Sequence, residues 1–293
     1  MSTHFGWTPA PDQVDKFLPQ CRPLMGELSL DEKKDVFLYK HIRDVLGTDA
    51  PKGPQGIGDC VSWGWSNLVN YIQALQIVTA RRNNTPEPEY QEIATEATYG
   101  FSRVEVGGQR GSYSDGSVGA WAAEAAKNYG YLSRSYLESK GLPGKYDPKR
   151  AKKWGAEGVP DALEPEARLR LIKTVTLVTS FKEAATFIQN GYPVAVCSDQ
   201  GFSMTRDKDG FCAPRSTWYH CMLFMAVRWD RPGLCCSQSW GANTPDGPVV
   251  LEQPDNSFWV DDRTVDRMLS QRDSYAGGPF DGYINQDFTD WKH

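Results

Sequence analysis

Histidine is scarce in this chain, with four in 293 residues. Any chemistry run through an imidazole must therefore use His4, His41, His220 or His293. A surplus of one charge is also missing. The net charge is −5, acids and bases are intermixed, and no long basic run occurs, which argues against nucleic acid or an anionic membrane as the main partner. No apolar run approaches the roughly 20 residues of a membrane span, so no membrane partner is expected. The start, Met1-Ser-Thr-His-Phe-Gly-Trp-Thr-Pro9, lacks the charged and apolar stretches of a secretory signal peptide. Paired cysteine spacing is missing too. The seven cysteines are Cys21, Cys60, Cys197, Cys212, Cys221, Cys235 and Cys236, an odd number in a long chain, which disfavours a disulfide framework. Cys212, His220, Cys221, Cys235 and Cys236 contain no C-x₂₋₄-C pair, so a zinc site is disfavoured and no metal or cofactor is expected. Together these features fit a reduced, intracellular protein, or one released by lysis.

What is present is an ordinary globular composition, 40% apolar, 24% charged and 12% aromatic, long enough for one large domain or two intimate lobes. Residues 1–53 read as a Pro-rich extension around a helix from Leu30 to Leu46, opened by the capping box Ser29-Leu-Asp-Glu32. Helical patterns dominate to about residue 160: Val61 to Val78, then Pro86 to Ser102, where Tyr90, Ile93, Ala94 and Ala97 recur at helical spacing. A Gly/Ser loop over 107–119 leads to an alanine-rich helix, Val118 to Asn128, with Gly130 as its C-cap. The loop from Gly141 and the Lys/Arg cluster at 149–153 read as solvated connectors.

From residue 161 the pattern becomes β-rich, with strands at Leu171–Thr179, Pro193–Ser198, Met222–Trp229 and Leu234–Trp240. A helix at Ser180–Asn190, with the capping box Ser180-Phe-Lys-Glu183, and another at Asp262–Leu269 accompany them. Phe258-Trp259-Val260 suits either an interface or the core. The expected fold class is α+β in a single domain: extension 1–53, helical lobe 54–160 and β-rich lobe 161–293.

Chemistry concentrates at Cys60. The Gly-rich turn Pro54-Gln-Gly-Ile-Gly-Asp59 delivers this cysteine to the first turn of an apolar helix. Free backbone N–H groups there favour a thiolate. Gln55 offers a hydrogen-bond donor nearby, so the group reads as a nucleophile with an oxyanion hole. His220 precedes the apolar run Cys221 to Val227, where it serves either as a buried structural histidine or as a base. Gln238-Ser-Trp-Gly241 follows on the next strand, within reach of His220 across a hairpin.

These motifs resemble the papain-like cysteine peptidases. Gln55-Gly56 and Cys60 match the turn and helix that carry that family's nucleophile, His220 to Val227 its histidine strand, and Gln238-Ser-Trp-Gly241 its Asn-Ser-Trp-Gly motif. Asp115-Gly116-Ser117, followed by a helix and Tyr129-Gly130, is similar to its Asn-Gly-Gly substrate-binding segment. Gly6-Trp7 ahead of Pro11-Asp12 resembles bacterial and phage relatives without a long inhibitory propeptide. The match runs over roughly residues 50–245. It implies a helical lobe against a barrel-like β lobe with a cleft between. It also implies a thiolate–imidazolium pair of Cys60 and His220, an oxyanion held by Gln55 and the Cys60 N–H, and Gln238 accepting from the His220 ring under the cover of Trp240. Gly116, Ser117, Tyr219 and Trp240 would contact a peptide or protein substrate.

Three positions depart from the family pattern. Gln238 replaces asparagine, Gln55 lies one residue nearer the cysteine, and Asp59 precedes it. Asp59 suits an N-cap, but an ionised carboxylate about 6 Å from the sulfur would oppose the thiolate by roughly 3 kcal/mol. The departures leave open a catalytically weak or inactive papain-fold protein with a virion or assembly partner, cytoplasmic or virion-associated. Cleavage of cell-wall peptides is a further alternative.

Overall fold

The computed structural model describes residues 4–22 and 28–280. Its strands are β1 (Val36–Phe37), β2 (Ile172–Leu177), β3 (Val194–Arg206), β4 (Cys212–Arg228), β5 (Gly233–Ser237), β6 (Ser257–Asp261) and β7 (Tyr275–Phe280). They form one antiparallel sheet in the order β2-β7-β3-β4-β5-β6, with β1 paired to β4. The helices lie mainly before β2, so the organisation is α+β, helical first and β-rich second.

The helix Cys60–Arg82 is buried continuously from Cys60 to Ala80. Several of its polar residues find partners inside: Ser66 pairs with Thr98 (3.1 Å), Asn70 accepts from Ile93 N (3.1 Å), and Gln73 exchanges two bonds with the Gln91 backbone. Such pairing is what makes polar groups tolerable in a buried helix. Gly64 lets this helix rest directly on β4, because a Cβ there would stand 2.7 Å from Cys221 Sγ and 3.2 Å from the Met222 carbonyl. The stretch Cys221–Val227 is buried at every position, which accounts for its unbroken apolar sequence.

Several elements differ from the expectations above. The helix expected from Leu30 begins only at Leu38. Residues 29–34 are held instead by the end of helix Phe181–Gln189: Gln189 donates to the Asp31 and Lys34 carbonyls and Asn190 to that of Ser29. The stretch after Pro86 stays irregular until helix Thr95–Gly100, and Phe101–Val106 then continues as a π-helical turn. The basic cluster at 149–153 lies in helix Pro148–Glu157, where Arg150 is buried against Glu96. A helix at Pro11–Phe17, with proline at its start, was not expected at all. Strands β3 and β4 are longer than expected, which puts His220 in the middle of β4 rather than ahead of it. β5 ends at Ser237, so Gln238 to Trp240 lie just past it. Phe258-Trp259-Val260 belongs to the core. Among the described residues no helix is long and apolar enough to cross a membrane.

Candidate active site

Cys60 opens the long helix, and Asp59 occupies its N-cap position. The Asp59 carboxylate does not cap the helix. Its Oδ2 accepts from the Tyr146 hydroxyl (2.9 Å) and its Oδ1 has no partner among the described residues. Burial pushes its pKa up to about 8; the Tyr146 hydroxyl opposes this, and nearby Glu96 and Asp115 reinforce it. Asp59 is therefore mostly protonated near neutrality and opposes a Cys60 thiolate chiefly as it ionises at higher pH. Tyr146 also accepts from Gly56 N (3.0 Å), tying the turn to its neighbouring loop. No motif in the sequence marks Tyr146.

Cys60 Sγ accepts from Cys221 N at 3.3 Å, which places the thiol against the residue next to His220. Burial raises the thiol pKa well above its ordinary value, the Cys221 thiol and Asp59 push the same way, and the N–H groups of Cys221 and Gly6 oppose it. Burial alone carries the His220 pKa down to about 3. Both shifts favour the neutral thiol and imidazole over a thiolate–imidazolium pair while the site is covered.

The β4–β5 register pairs Leu223 with Ser237. Carried onward, it sets Trp240 opposite His220 and Gln238 one diagonal step away on the same face. The Trp240 ring accordingly stacks on His220, with centroids 4.8 Å apart and planes at 27°. The expected bond between ring and amide is not made. Gln238 Nε2 donates to the Asn243 carbonyl (3.1 Å), a turn the longer side chain can reach, while Gln238 Oε1 and both His220 nitrogens lack partners among the described residues. Gln55 is engaged by the chain's own groups. Its Nε2 donates to the His4 (3.1 Å) and Ile57 (3.0 Å) carbonyls, and its Oε1 accepts from Ser239 Oγ (2.5 Å).

The remaining expected residues converge on an extended segment of the chain itself, residues 4–8. Gly6 N and Trp7 N both donate to the Tyr219 carbonyl (3.0 Å), Thr8 N donates to Ser117 O (2.9 Å), and Ser117 N donates to Gly6 O (2.7 Å). Gly116, at φ +102°, donates its N–H to the Gly58 carbonyl (3.0 Å) and so ties this wall to the Cys60 turn. Phe5 lies edge-on to His220 and Trp240, at 6.1 and 5.8 Å. A Cβ on Gly6 would stand 1.9 Å from the Gly58 carbonyl oxygen. Residues 4–8 thus cover Cys60 and His220, which explains why both are fully buried. The aromatic residues flanking Gly6 were the only sequence signal for this cover.

Beside the Gln55-Gly56 turn a cavity of about 720 Å³ opens, walled by Trp63, Tyr146 and Pro54. No group of His, Cys, Asp and Glu among the described residues is placed to hold a metal ion, and all seven cysteines are free thiols.

A cysteine heading a buried helix, set against a histidine strand, defines the papain-like fold, and solved structures agree. Xylellain, a cysteine protease from Xylella fastidiosa, superposes with a TM-score of 0.57 at 12% identity, over 94% of this chain and 92% of that one. Digestive procathepsin L 3 of Tenebrio molitor larval midgut gives 0.53 at 13% identity, over 91% and 79%. ProCathepsin B S9 from Trypanosoma congolense gives 0.57 at 10% identity, over 94% and 86%. No protein-family model and no curated protein matches the sequence.

Proposed function

We propose that this chain is a cysteine peptidase that cleaves peptide bonds through an acyl-enzyme on Cys60. The observation that carries this is the seat of Cys60: at a helix N-terminus, hydrogen-bonded to the backbone beside His220, whose ring is stacked under Trp240. With the cover displaced, water reaches both groups and His220 can take the thiol proton. The thiolate attacks the carbonyl carbon, and the Cys60 N–H and Gln55 Nε2 hold the oxyanion. His220 then protonates the leaving amine, and water releases the acyl group. A peptide carbonyl already accepts from Gln55 Nε2 and Trp240 Nε1, namely that of His4. Displacing residues 4–8 would free both donors for a substrate. The open cavity beside Gln55 offers room for more of the peptide.

A second reading, a papain-like fold kept as a binding or virion-assembly module, draws on the neutral state of Cys60 and His220 under their cover. The two separate on exposure to a peptide library, with cleaved bonds read by mass spectrometry. The chain carrying Gly6→Ala, whose new Cβ meets the Gly58 carbonyl, is the form to use. Cleavage lost in both Cys60→Ala and His220→Ala is the expected result. Cleavage no greater than in those two variants would favour the binding module.

A further inference from the structure

Two independent features of the cover are selective rather than generic. Gly6 has no room for a side chain, since a Cβ would lie 1.9 Å from the Gly58 carbonyl oxygen and 2.4 Å from its carbon, both backbone atoms. Trp7 is 5% exposed, and its indole Nε1 donates to Asp273 Oδ2 at 2.7 Å. Asp273 is itself 2% exposed and fixed in place, because it also accepts from Gly119 N and Ala120 N (both 2.8 Å) at the start of helix Gly119–Asn128. Phe5, by contrast, is 38% exposed on the ring cluster of Trp218, His220 and Trp240, so its position is permissive. The backbone bonds to Tyr219 and Ser117 are available to any peptide.

We propose that this cleft recognises an extended peptide carrying glycine followed by tryptophan, that Asp273 selects the tryptophan, and that residues 4–8 of the chain are such a peptide bound in cis. The proposal builds on the peptidase reading above by naming the ligand class of the same site. Asp273 is a specificity residue: a phenylalanine or leucine at the Trp7 position would leave a buried carboxylate short of one donor.

The test is the rate of Cys60 alkylation by iodoacetamide at pH 7.5 in the full chain, mapped by mass spectrometry. Cys197, Cys221, Cys235 and Cys236 are all buried and report any general unfolding. Gly6→Ala should speed Cys60 labelling about tenfold or more, the scale of losing one buried charge-assisted hydrogen bond, with those four thiols still protected. Free His-Phe-Gly-Trp-Thr peptide should restore slow labelling to that variant. The same peptide with its tryptophan replaced by phenylalanine should protect about tenfold less well, and with its glycine replaced by alanine not at all.

An unchanged Cys60 rate in folded Gly6→Ala, or equal protection by all three peptides, overturns the proposal. If Gly6→Ala exposes all the thiols, Trp7→Phe decides: faster labelling of Cys60 alone supports the proposal, and the wild-type rate overturns it. None of these readouts needs turnover, so a chain that binds the peptide but cleaves nothing would count against the peptidase reading only.

Discussion

Around Glu96 the buried polar atoms are paired; around His220 they are not. Glu96 is fully buried and accepts from Arg150 (2.5 Å), Arg134 (3.1 Å), Asp147 N (2.9 Å) and Thr95 (3.3 Å), leaving only Arg150 Nε unmatched among its partners. At the Cys60 site, Asp59 Oδ1, His220 Nδ1 and Nε2, and Gln238 Oε1 all lack partners among the described residues. Both clusters stand beside Tyr146 and its loop, yet only one is closed. A satisfied network holds a structure together, whereas unsatisfied buried groups cost stability and persist where chemistry needs them.

Substitutions can break that contrast. The largest effect is expected at Glu96→Gln, which removes the buried carboxylate that the buried Arg150 and the half-buried Arg134 both bond. It should lower unfolding free energy by about 3–5 kcal/mol in urea titrations. A loss under about 1 kcal/mol would mean the network is not structural.

Asp59→Asn should do the reverse. A carboxyl held neutral up to about pH 8 in the fold but ionising near 4 when unfolded costs stability progressively as pH rises between those values. The variant should therefore be more stable than wild type by on the order of 2–4 kcal/mol at pH 8, and little different at pH 4. A difference that does not change with pH would contradict a neutral Asp59.

Gln238→Leu should change stability least, within about 1 kcal/mol, since one oxygen of that amide is already unpartnered. Its effect should fall on peptide cleavage instead. A bond from the Gln238 amide to the imidazolium formed during turnover, absent from the covered form, corresponds to about ten- to a hundredfold in rate, read as kcat/KM. A large stability loss with unchanged cleavage would assign Gln238 to structure.

The same contrast marks what was legible in the sequence. Cys60, His220 and the Ser239-Trp240-Gly241 turn were readable because each sits where local pattern changes: at a helix start, in an apolar run, after a strand. The α+β order followed from periodicity alone. Side-chain pairings were not readable, since they depend on tertiary neighbours. Asp59 points to Tyr146, 87 residues on, and Trp7 to Asp273, 266 residues on. Arg150 looked like one of a solvated basic run until helix Thr95–Gly100 brought Glu96 to it. The false helix start at Ser29 failed for a related reason, because Gln189 and Asn190 compete for its backbone.

The coupling of Cys60 to His220 is tested most directly by Cys60 alkylation measured against pH, in Gly6→Ala and in the double variant Gly6→Ala, His220→Ala. With the cover displaced, the single variant should react at a rate already high well below pH 8.5, and removing His220 should abolish that low-pH limb. One rise near the ordinary thiol value of about 8.5 in both chains would show that His220 does not activate Cys60.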